Sequence, residues 1–403
     1  MRFFWRVVNE GIVVVDLDSF EFTLLNGSAS LIWLELATEA ARPDELAAMI
    51  GQVFDRPASS VSGDVTKILS AWRELGWLST SANGMVWINL SSASPQSQPY
   101  QVVCAETLLS ATTEARLEWK RDMEFIGTEV SVRIMSDPSH KGSDVLTRAR
   151  SFLSGLPEAT GSAVEAIEMF VTHGGIFLRL GSTCVEAKTD SDALSRLVLW
   201  CFYSAYGTED FQGTFHAAAV GRDEGSIVMP GLSGAGKSTL TAFLAAHGWA
   251  YGGDDIVGLA CSRENDLHHI VLPFCSAISV KDGALPILAP YYAGLHNLPQ
   301  VTYDAKQARF PAVPPAWQMG SDIGPRRIKA IVFPRYVAGA ILDVSQLDFR
   351  ETLLALVGVG YRTGERMDVG LLNGVFNFLE HTPTYQLIYS DLKDAERVLR
   401  DLL

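Results

Sequence analysis

Three short β-prone runs open the chain, at residues 3–8, 12–16 and 20–24, separated by Asn9-Glu10-Gly11 and by the polar stretch 16–19. Short runs with such turn chemistry between them predict an antiparallel meander. The hydrophobic period then lengthens to that of a helix. Asn26, Gly27 and Ser28 open a helical pattern that runs to Leu36. Pro43, with Asp44 and Glu45 in the first turn, opens a second helix. A third covers 59–75, with Val61, Val65, Ile68, Leu69 and Trp72 on one face, and Gly76 follows where a left-handed cap belongs. Three strands and three helices within residues 1–80 predict a small winged-helix module.

Serine, glycine and proline take over between 79 and 98, around a short apolar run at 85–90. Residues 81–98 read as a linker with one added strand. Residues 99–210 predict a middle α+β scaffold, with strands at 129–135, 166–171, 176–180 and 184–187 and an apolar helix at 191–205. His173, Gly174 and Gly175 form a hairpin signal, and no motif with chemistry falls in this region. From 211 to 403 the pattern is α/β. An apolar strand at 226–229 leads into a glycine-rich loop and then a helix at 239–247, with Leu240, Phe243 and Leu244 on one side and Gly248 as its stop. Arg326 and Arg327 read as a solvated turn.

Composition narrows the function classes. Of 403 residues 48% are hydrophobic and 19% charged, which suits folded domains. A net charge of −14 argues against nucleic acid as a partner. The five cysteines are far apart and odd in number, so a reducing compartment with ordinary thiols is expected. The N-terminus turns acidic by Glu10 without an apolar run ending in small residues, so no signal peptide is read there. The longest apolar stretch, 197–206, is roughly half of the ~20 residues a membrane span needs. No membrane partner and a cytoplasmic location are the expectations.

Residues 231–239 read Gly-Leu-Ser-Gly-Ala-Gly-Lys-Ser-Thr, which is G-x-x-x-x-G-K-[ST] between a strand and a helix. Gly231, Gly234 and Gly236 let successive N–H groups point at one anion, with Ser233, Ala235 and Thr239 contributing backbone. The helix N-terminus adds positive potential. Lys237 is placed to reach β- and γ-phosphates, and the Ser238 hydroxyl to ligate Mg²⁺. ATP and Mg²⁺ are therefore the expected cofactors. Asp254 and Asp255 follow in Gly252-Gly253-Asp-Asp. Two carboxylates could divide the work of proton acceptor and metal ligand, although the glycines replace the apolar run a Walker B strand carries. His216 precedes the loop strand, in Thr214-Phe-His-Ala-Ala-Ala-Val220.

His216, the loop and the Asp pair stand in one register. Lys237 lies 21 residues after His216, and Asp254 lies 17 after Lys237. In this order and spacing, residues 211–260 resemble the catalytic domain of HPr kinase/phosphorylase and its related kinases. The resemblance implies a P-loop domain akin to phosphoenolpyruvate carboxykinase that phosphorylates a protein serine. It implies Asp254 as general base, Asp255 and Ser238 as Mg²⁺ ligands, and His216 near the phosphate; which aspartate does which stays open. Residues 272–282 are similar to a Pro-x-x-x-Ile-Ser-Leu-Lys segment of those kinases, which makes Lys281 a candidate for phosphate contact. Residues 331–336, Ile-Val-Phe-Pro-Arg-Tyr, are similar to an Ile-x-Phe-Pro-x-Tyr strand end, which makes Arg335 a candidate for the γ-phosphate. The Glu-x-Arg-Gly signature of true HPr kinase/phosphorylases is not evident after the Asp pair, which favours a kinase with another substrate. The family forms ring oligomers, so a homo-oligomer is an open expectation.

Residues 1–80 resemble PqqD through Phe22-Thr-Leu-Leu-Asn-Gly-Ser-Ala-Ser30, Ile32-Trp33, Asp44-Glu-Leu-Ala and a helix ending in Leu75-Gly-Trp-Leu78. PqqD-like domains recognise ribosomally made precursor peptides, holding a leader as an added strand. The third helix carries only Lys67 and Arg73 as cations beside Asp64 and Glu74, poor for a DNA duplex. Together the two resemblances imply a kinase that phosphorylates a Ser or Thr hydroxyl of a precursor peptide recruited by residues 1–80. Two alternatives remain open. One is a small-molecule kinase for free serine or a sugar, with a regulatory first domain. The other is an ATP-gated peptide chaperone.

Overall fold

The computed structural model describes all residues except 1, 9–10, 18–20, 91–100, 103–114, 126–127, 140–143, 157, 160–165, 207–210, 224, 262–268, 304–305, 312–325, 360 and 363–368. The chain divides into two compact units, residues 1–98 and, apart from 367–369, residues 99–403.

In the first unit β1 (Phe3–Val8), β2 (Gly11–Asp16) and β3 (Glu21–Leu25) form the antiparallel meander that the short runs predict. Three helices follow, α1 (Gly27–Thr38), α2 (Pro43–Val53) and α3 (Ala58–Glu74). Each boundary has a local cause. The Asn26 carboxamide accepts the Ala29 N–H at 3.0 Å and starts α1. Pro43 occupies the first turn of α2, where its missing N–H costs nothing, and the Glu45 carboxylate accepts the Arg42 N–H at 2.7 Å. Gly76, with φ +68°, ends α3. Trp77 N–H donates to Trp72 C=O and Gly76 N–H to Arg73 C=O, the paired bonds of a Schellman cap. The core is aromatic. Trp33 is fully buried and meets the rings of Phe3, Trp72 and Trp77 edge-on at 5.4–5.6 Å.

The expected linker begins later than its composition suggests. β4 (Leu78–Thr80) and β5 (Val86–Ile88) form a hairpin, Val86 and Ile88 are buried in the same core, and Ala41 bridges to Val86. Residues 81–90 are therefore part of the module, because two apolar side chains on alternate positions of β5 are enough to hold it. The remaining linker residues, 91–98, lie outside the described residues.

The second unit contains two principal sheets. The first comprises β6 (Gln101–Val102), β7 (Arg116–Phe125), β8 (Thr128–Ser136), β9 (Ala166–Thr172), β10 (Gly175–Leu180) and β11 (Thr183–Ala187), in the order β6-β11-β10-β9-β8-β7. Only β8 and β9 pair in parallel, and α4 (Asp144–Leu153) lies between them in sequence, as a parallel connection requires. α4 and α5 (Asp190–Tyr206) contribute Leu146, Ala149, Leu153, Leu197, Cys201 and Phe202 to the core of this layer. That core continues into Ala260, Leu272 and Phe274, so this layer and the next share one apolar interior. The described thiols, of Cys184, Cys201 and Cys275, are free and buried, and burial raises the pKa of each.

The second sheet holds β12 (Phe211–Phe215), β13 (Ala217–Arg222), β14 (Gly225–Pro230), β15 (Ala250–Gly253), β16 (Val257–Cys261), β17 (His269–Leu272), β21 (Arg326–Tyr336), β22 (Asp343–Leu347), β23 (Tyr361–Arg362) and β24 (Thr384–Tyr389). A small separate sheet is made by β18 (Val280–Lys281), β19 (Val301–Tyr303) and β20 (Lys306–Arg309). Among the described residues five helices complete the unit besides two short 3-10 turns: α6 (Lys237–Ala246), α7 (Leu285–Leu288), α8 (Phe349–Val359), α9 (Val369–His381) and the terminal α10 (Leu392–Asp401). Arg326 and Arg327, expected in a turn, instead begin β21. They pair with Gly225, Ile270 and Val271, and Arg327 keeps its side chain exposed. Among the described residues no helix is long and apolar enough to cross a membrane.

Candidate functional site

Three parallel strands aim at one place. β14 pairs in parallel with β21, and β21 with β24. β14 is buried along its whole length, as its unbroken Ser-Ile-Val-Met run requires of a strand with neighbours on both edges. The carboxyl ends of parallel strands are where α/β sheets place ligands. Here the glycine-rich loop leaves β14 at Gly231, and the ends of the other two strands close on it. Tyr336 N–H donates to Ala235 C=O at 3.0 Å, and the Tyr389 hydroxyl donates to Gly236 C=O at 3.5 Å.

Within the loop, two of the three glycines carry the geometry. Gly234 and Gly236 have φ of +94° and +97°, which side chains other than glycine rarely adopt. At Gly236 a Cβ would also stand 2.7 Å from the Tyr389 hydroxyl and 3.0 Å from Tyr336 Cβ. Gly231 has no such φ, and a Cβ there would make ordinary contacts of 3.4–3.5 Å with the side chains of Lys237 and Ala235. α6 starts at Lys237, two residues before the predicted Thr239, and no side chain caps it. Its first N–H groups, on Lys237, Ser238 and Thr239, are those a helix leaves for an external acceptor. Ser233 and Gly234 are exposed at the loop tip, while Ala235, Ser238 and Thr239 are half-buried.

Lys237 is 5% exposed. Its ammonium donates to the carbonyls of Gly231 and Leu232, so the loop holds its own lysine. Burial lowers the lysine pKa, and the charges of Asp254 and Asp255 oppose that.

Asp254 is 1% exposed. Its carboxyl pKa is pushed up to about 7, first by burial and then by the charge of Asp255. The Ser238 hydroxyl, Lys237 and the Ser279 N–H, at 3.4 Å from Oδ2, pull the other way. Oδ1 is buried without a hydrogen-bond partner. An orphaned carboxylate oxygen in such a place calls for a proton or a cation. The second of the glycines that make this a poor Walker B strand has a local reason. Gly253 has φ +145°, and a Cβ there would meet Phe274 C=O at 3.0 Å and Ile256 C=O at 3.1 Å. Asp255 itself has φ +70°, an unusual conformation for a residue with a side chain.

The remaining candidates fall around this centre to different degrees. Lys281, on β18, donates to the Ser233 hydroxyl at 3.0 Å, so a residue 48 positions away is brought onto the loop. His216 is half-buried in the bend between β12 and β13. Its neighbours Phe215 and Ala217 pair with Val257 and Pro230, so its backbone lies between the Asp254–Asp255 turn and the root of the loop. Arg335 sits on the exposed end of β21, one residue before the Tyr336 that touches the loop. Sequence reasoning missed Tyr336, Tyr389 and Ser279. The motif that drew attention to Arg335 contains Tyr336 as its last residue, which was the available signal.

Among the described residues no group of three or more His, Cys, Asp or Glu side chains could hold a metal ion by itself. Ser238, Asp255 and the orphaned oxygen of Asp254 are oxygen donors of the kind Mg²⁺ takes. Mg²⁺ sites built on one or two carboxylates complete their shell with substrate phosphates and water. The residues present therefore fit that cation only together with a phosphate.

Comparison with known proteins agrees with part of this picture. The family model described as coenzyme PQQ synthesis protein D (PqqD) matches residues 11–78, so the first unit contains a PqqD domain. No curated protein matches the chain. Among solved structures, the HPr(Ser) kinase/phosphatase from Coxiella burnetii aligns with 47% of this chain and 88% of its own, at 14% identity and a TM-score of 0.23. At that score the alignment adds nothing to what the loop, the lysine and the aspartates say for themselves.

Proposed function

We propose that the chain is an ATP-dependent kinase that phosphorylates a hydroxyl of a precursor peptide recruited by its PqqD domain. The observation that carries the reading is the meeting of a self-organised phosphate loop with a buried carboxyl poised near neutral pH. A proton acceptor works best when its pKa lies near the operating pH, and Asp254 is pushed up to about 7.

In this reading the loop N–H groups and Lys237 hold the β- and γ-phosphates. Lys281, already on Ser233, adds a second positive charge at the loop tip. Asp254 takes the proton from the acceptor hydroxyl. The freed oxygen attacks the γ-phosphorus, the bond from that phosphorus to the β,γ-bridging oxygen breaks, and ADP leaves. Mg²⁺, held by Ser238 and Asp255 when bound, neutralises charge on the phosphate oxygens. His216 and Arg335 stand at the rim of the same strand ends, where they orient the acceptor and meet the γ-phosphate. Most of the rate gain comes from positioning and charge, as is general for phosphoryl transfer. Covalent linkage to a peptide-binding module raises the effective concentration of the acceptor without new contacts at the kinase site.

Intact-mass spectrometry of a candidate precursor peptide, after incubation with the full chain, ATP and Mg²⁺, tests the proposal. A gain of one phosphate that Asp254→Asn slows by about 100-fold or more supports it. Transfer to free serine or a sugar but to no peptide replaces it with a small-molecule kinase. ATP binding without transfer to any acceptor leaves a nucleotide-gated chaperone.

A further inference from the structure

The mechanism above gives no task to residues 99–210, yet the end of α4 reaches the base. Residues 274–279 have no regular secondary structure and are all buried. A buried irregular segment must find partners for each backbone group. On one side the partners belong to the aspartate turn. Phe274 N–H donates to Gly252 C=O at 2.8 Å, the Tyr251 hydroxyl to Ser276 C=O at 2.7 Å, and Ser279 N–H to Asp254 Oδ2 at 3.4 Å. On the other side stands the middle layer. Ala277 N–H donates to Phe152 C=O at 2.9 Å, and the Phe152 ring stacks on Phe274 at 5.8 Å.

Gly155 closes this second side. Its φ is one any residue adopts, so it is not there to make a turn. What it provides is room, since a Cβ would lie 2.3 Å from Ala277 N and 2.6 Å from the Ser276 carbonyl carbon. Both are backbone atoms that cannot swing aside. The segment that holds Asp254 is thus clamped between the aspartate turn and the last turn of the α4 region.

We infer that Gly155 and Phe152 are positioning residues for phosphoryl transfer, setting the place of Asp254 through residues 274–279. The inference rests on the kinase reading above. Any side chain at Gly155 has to displace the segment by about an ångström, and displacements of that size in a catalytic constellation cost up to about 100-fold. The phosphate loop is fastened to other strand ends at Tyr336 and Tyr389, while this segment reaches the loop tip through Lys281, two residues beyond Ser279, so nucleotide binding falls less than kcat.

The test uses the full chain with Gly155→Ala. The expected result is a kcat lowered about 10- to 100-fold, with the KM for ATP and the Kd for ADP changed less than about threefold. A double-mutant cycle separates positioning from general damage: in an Asp254→Asn background the same substitution changes the residual rate less than about twofold. Phe152→Leu, which keeps the backbone bond but loses the ring stack, lowers kcat with the same sparing of nucleotide binding and carries the test if Gly155→Ala does not fold. Full kcat in the variants, or equal losses of kcat and nucleotide affinity, overturns the inference alone. No transfer by the unaltered chain overturns the kinase reading and this inference with it.

Discussion

Replacing Asp254 by Asn should stabilise the protein while removing most of its activity. In the fold burial and Asp255 push the carboxyl up to about 7, against roughly 3.9 for an aspartate in an open chain. At about 1.4 kcal/mol per tenfold change, holding it ionised above pH 7 costs up to about 4 kcal/mol. The sign follows from proton uptake. Between about pH 4 and 7 the folded state binds the proton and the unfolded state does not, so this group's contribution to stability is full below pH 4 and is lost as pH rises through 7. Asn keeps the volume and removes the charge, but an amide with unmet hydrogen-bonding groups gives back about 1–3 kcal/mol. The net gain at pH 8 is then roughly 1–3 kcal/mol, or a Tm higher by several degrees for the second unit. Thermal unfolding without nucleotide or Mg²⁺, at a series of pH values from about 4.5 to 8, reads this directly. The advantage of Asp254→Asn should grow with pH and vanish at the acid end. A variant no more stable than the parent at pH 8, or a gain that does not change with pH, refutes the argument that burial strains this carboxylate.

The same carboxyl predicts an acid limb in transfer, with kcat/KM falling as pH drops below about 7 because the protonated form cannot accept the hydroxyl proton; a kcat/KM flat down to pH 5.5 removes Asp254 from that role. Gly236→Ala meets both a φ of +97° and the Tyr389 hydroxyl, so it should cost about 1–3 kcal/mol of stability and abolish ADP binding by calorimetry. Gly76→Ala has open space but a φ of +68°, so it should cost only about 1 kcal/mol, visible in the unfolding of the first unit, with Gly76→Asn tolerated better. Lys237→Ala should weaken ADP binding at least about tenfold, since it removes the one buried cation facing Asp254 and Asp255 from within the loop.

What the sequence disclosed was mostly what is local. The strand, glycine-rich loop and helix could be read because the glycines, lysine and hydroxyl of the motif lie within nine residues, between a strand and a helix of plain period. The aspartate pair was harder, because Gly252 and Gly253 break the apolar run that ordinarily announces such a strand. The reason at Gly253, the approach of the Phe274 carbonyl, is a tertiary contact. β7 escaped notice because it is the edge of its sheet and can be polar along most of its length, as Arg116, Glu118, Lys120, Arg121 and Asp122 are. The hairpin of residues 78–88 was hidden by the serines around it. Gly155 could not have been singled out at all, since its neighbours Ser276 and Ala277 lie more than a hundred residues further on.

The parallel pairing of β14 with β21 also sets a timetable for synthesis. Gly225 lies beside Arg327, about a hundred residues later in the chain. At roughly 5–20 residues per second, translation leaves some 5–20 s between the making of these two strands. During that interval the apolar β14 has only its antiparallel neighbours on one flank, and the loop lacks the tyrosines that fasten it. The aromatic core of the first unit, by contrast, is complete by Ile88. A nascent chain thus carries a finished PqqD domain well before it carries a finished glycine-rich loop. A ribosome that stalls between residues 230 and 326 leaves on it a folded first unit and an unfinished second one, with an unprotected strand edge for chaperones to cover.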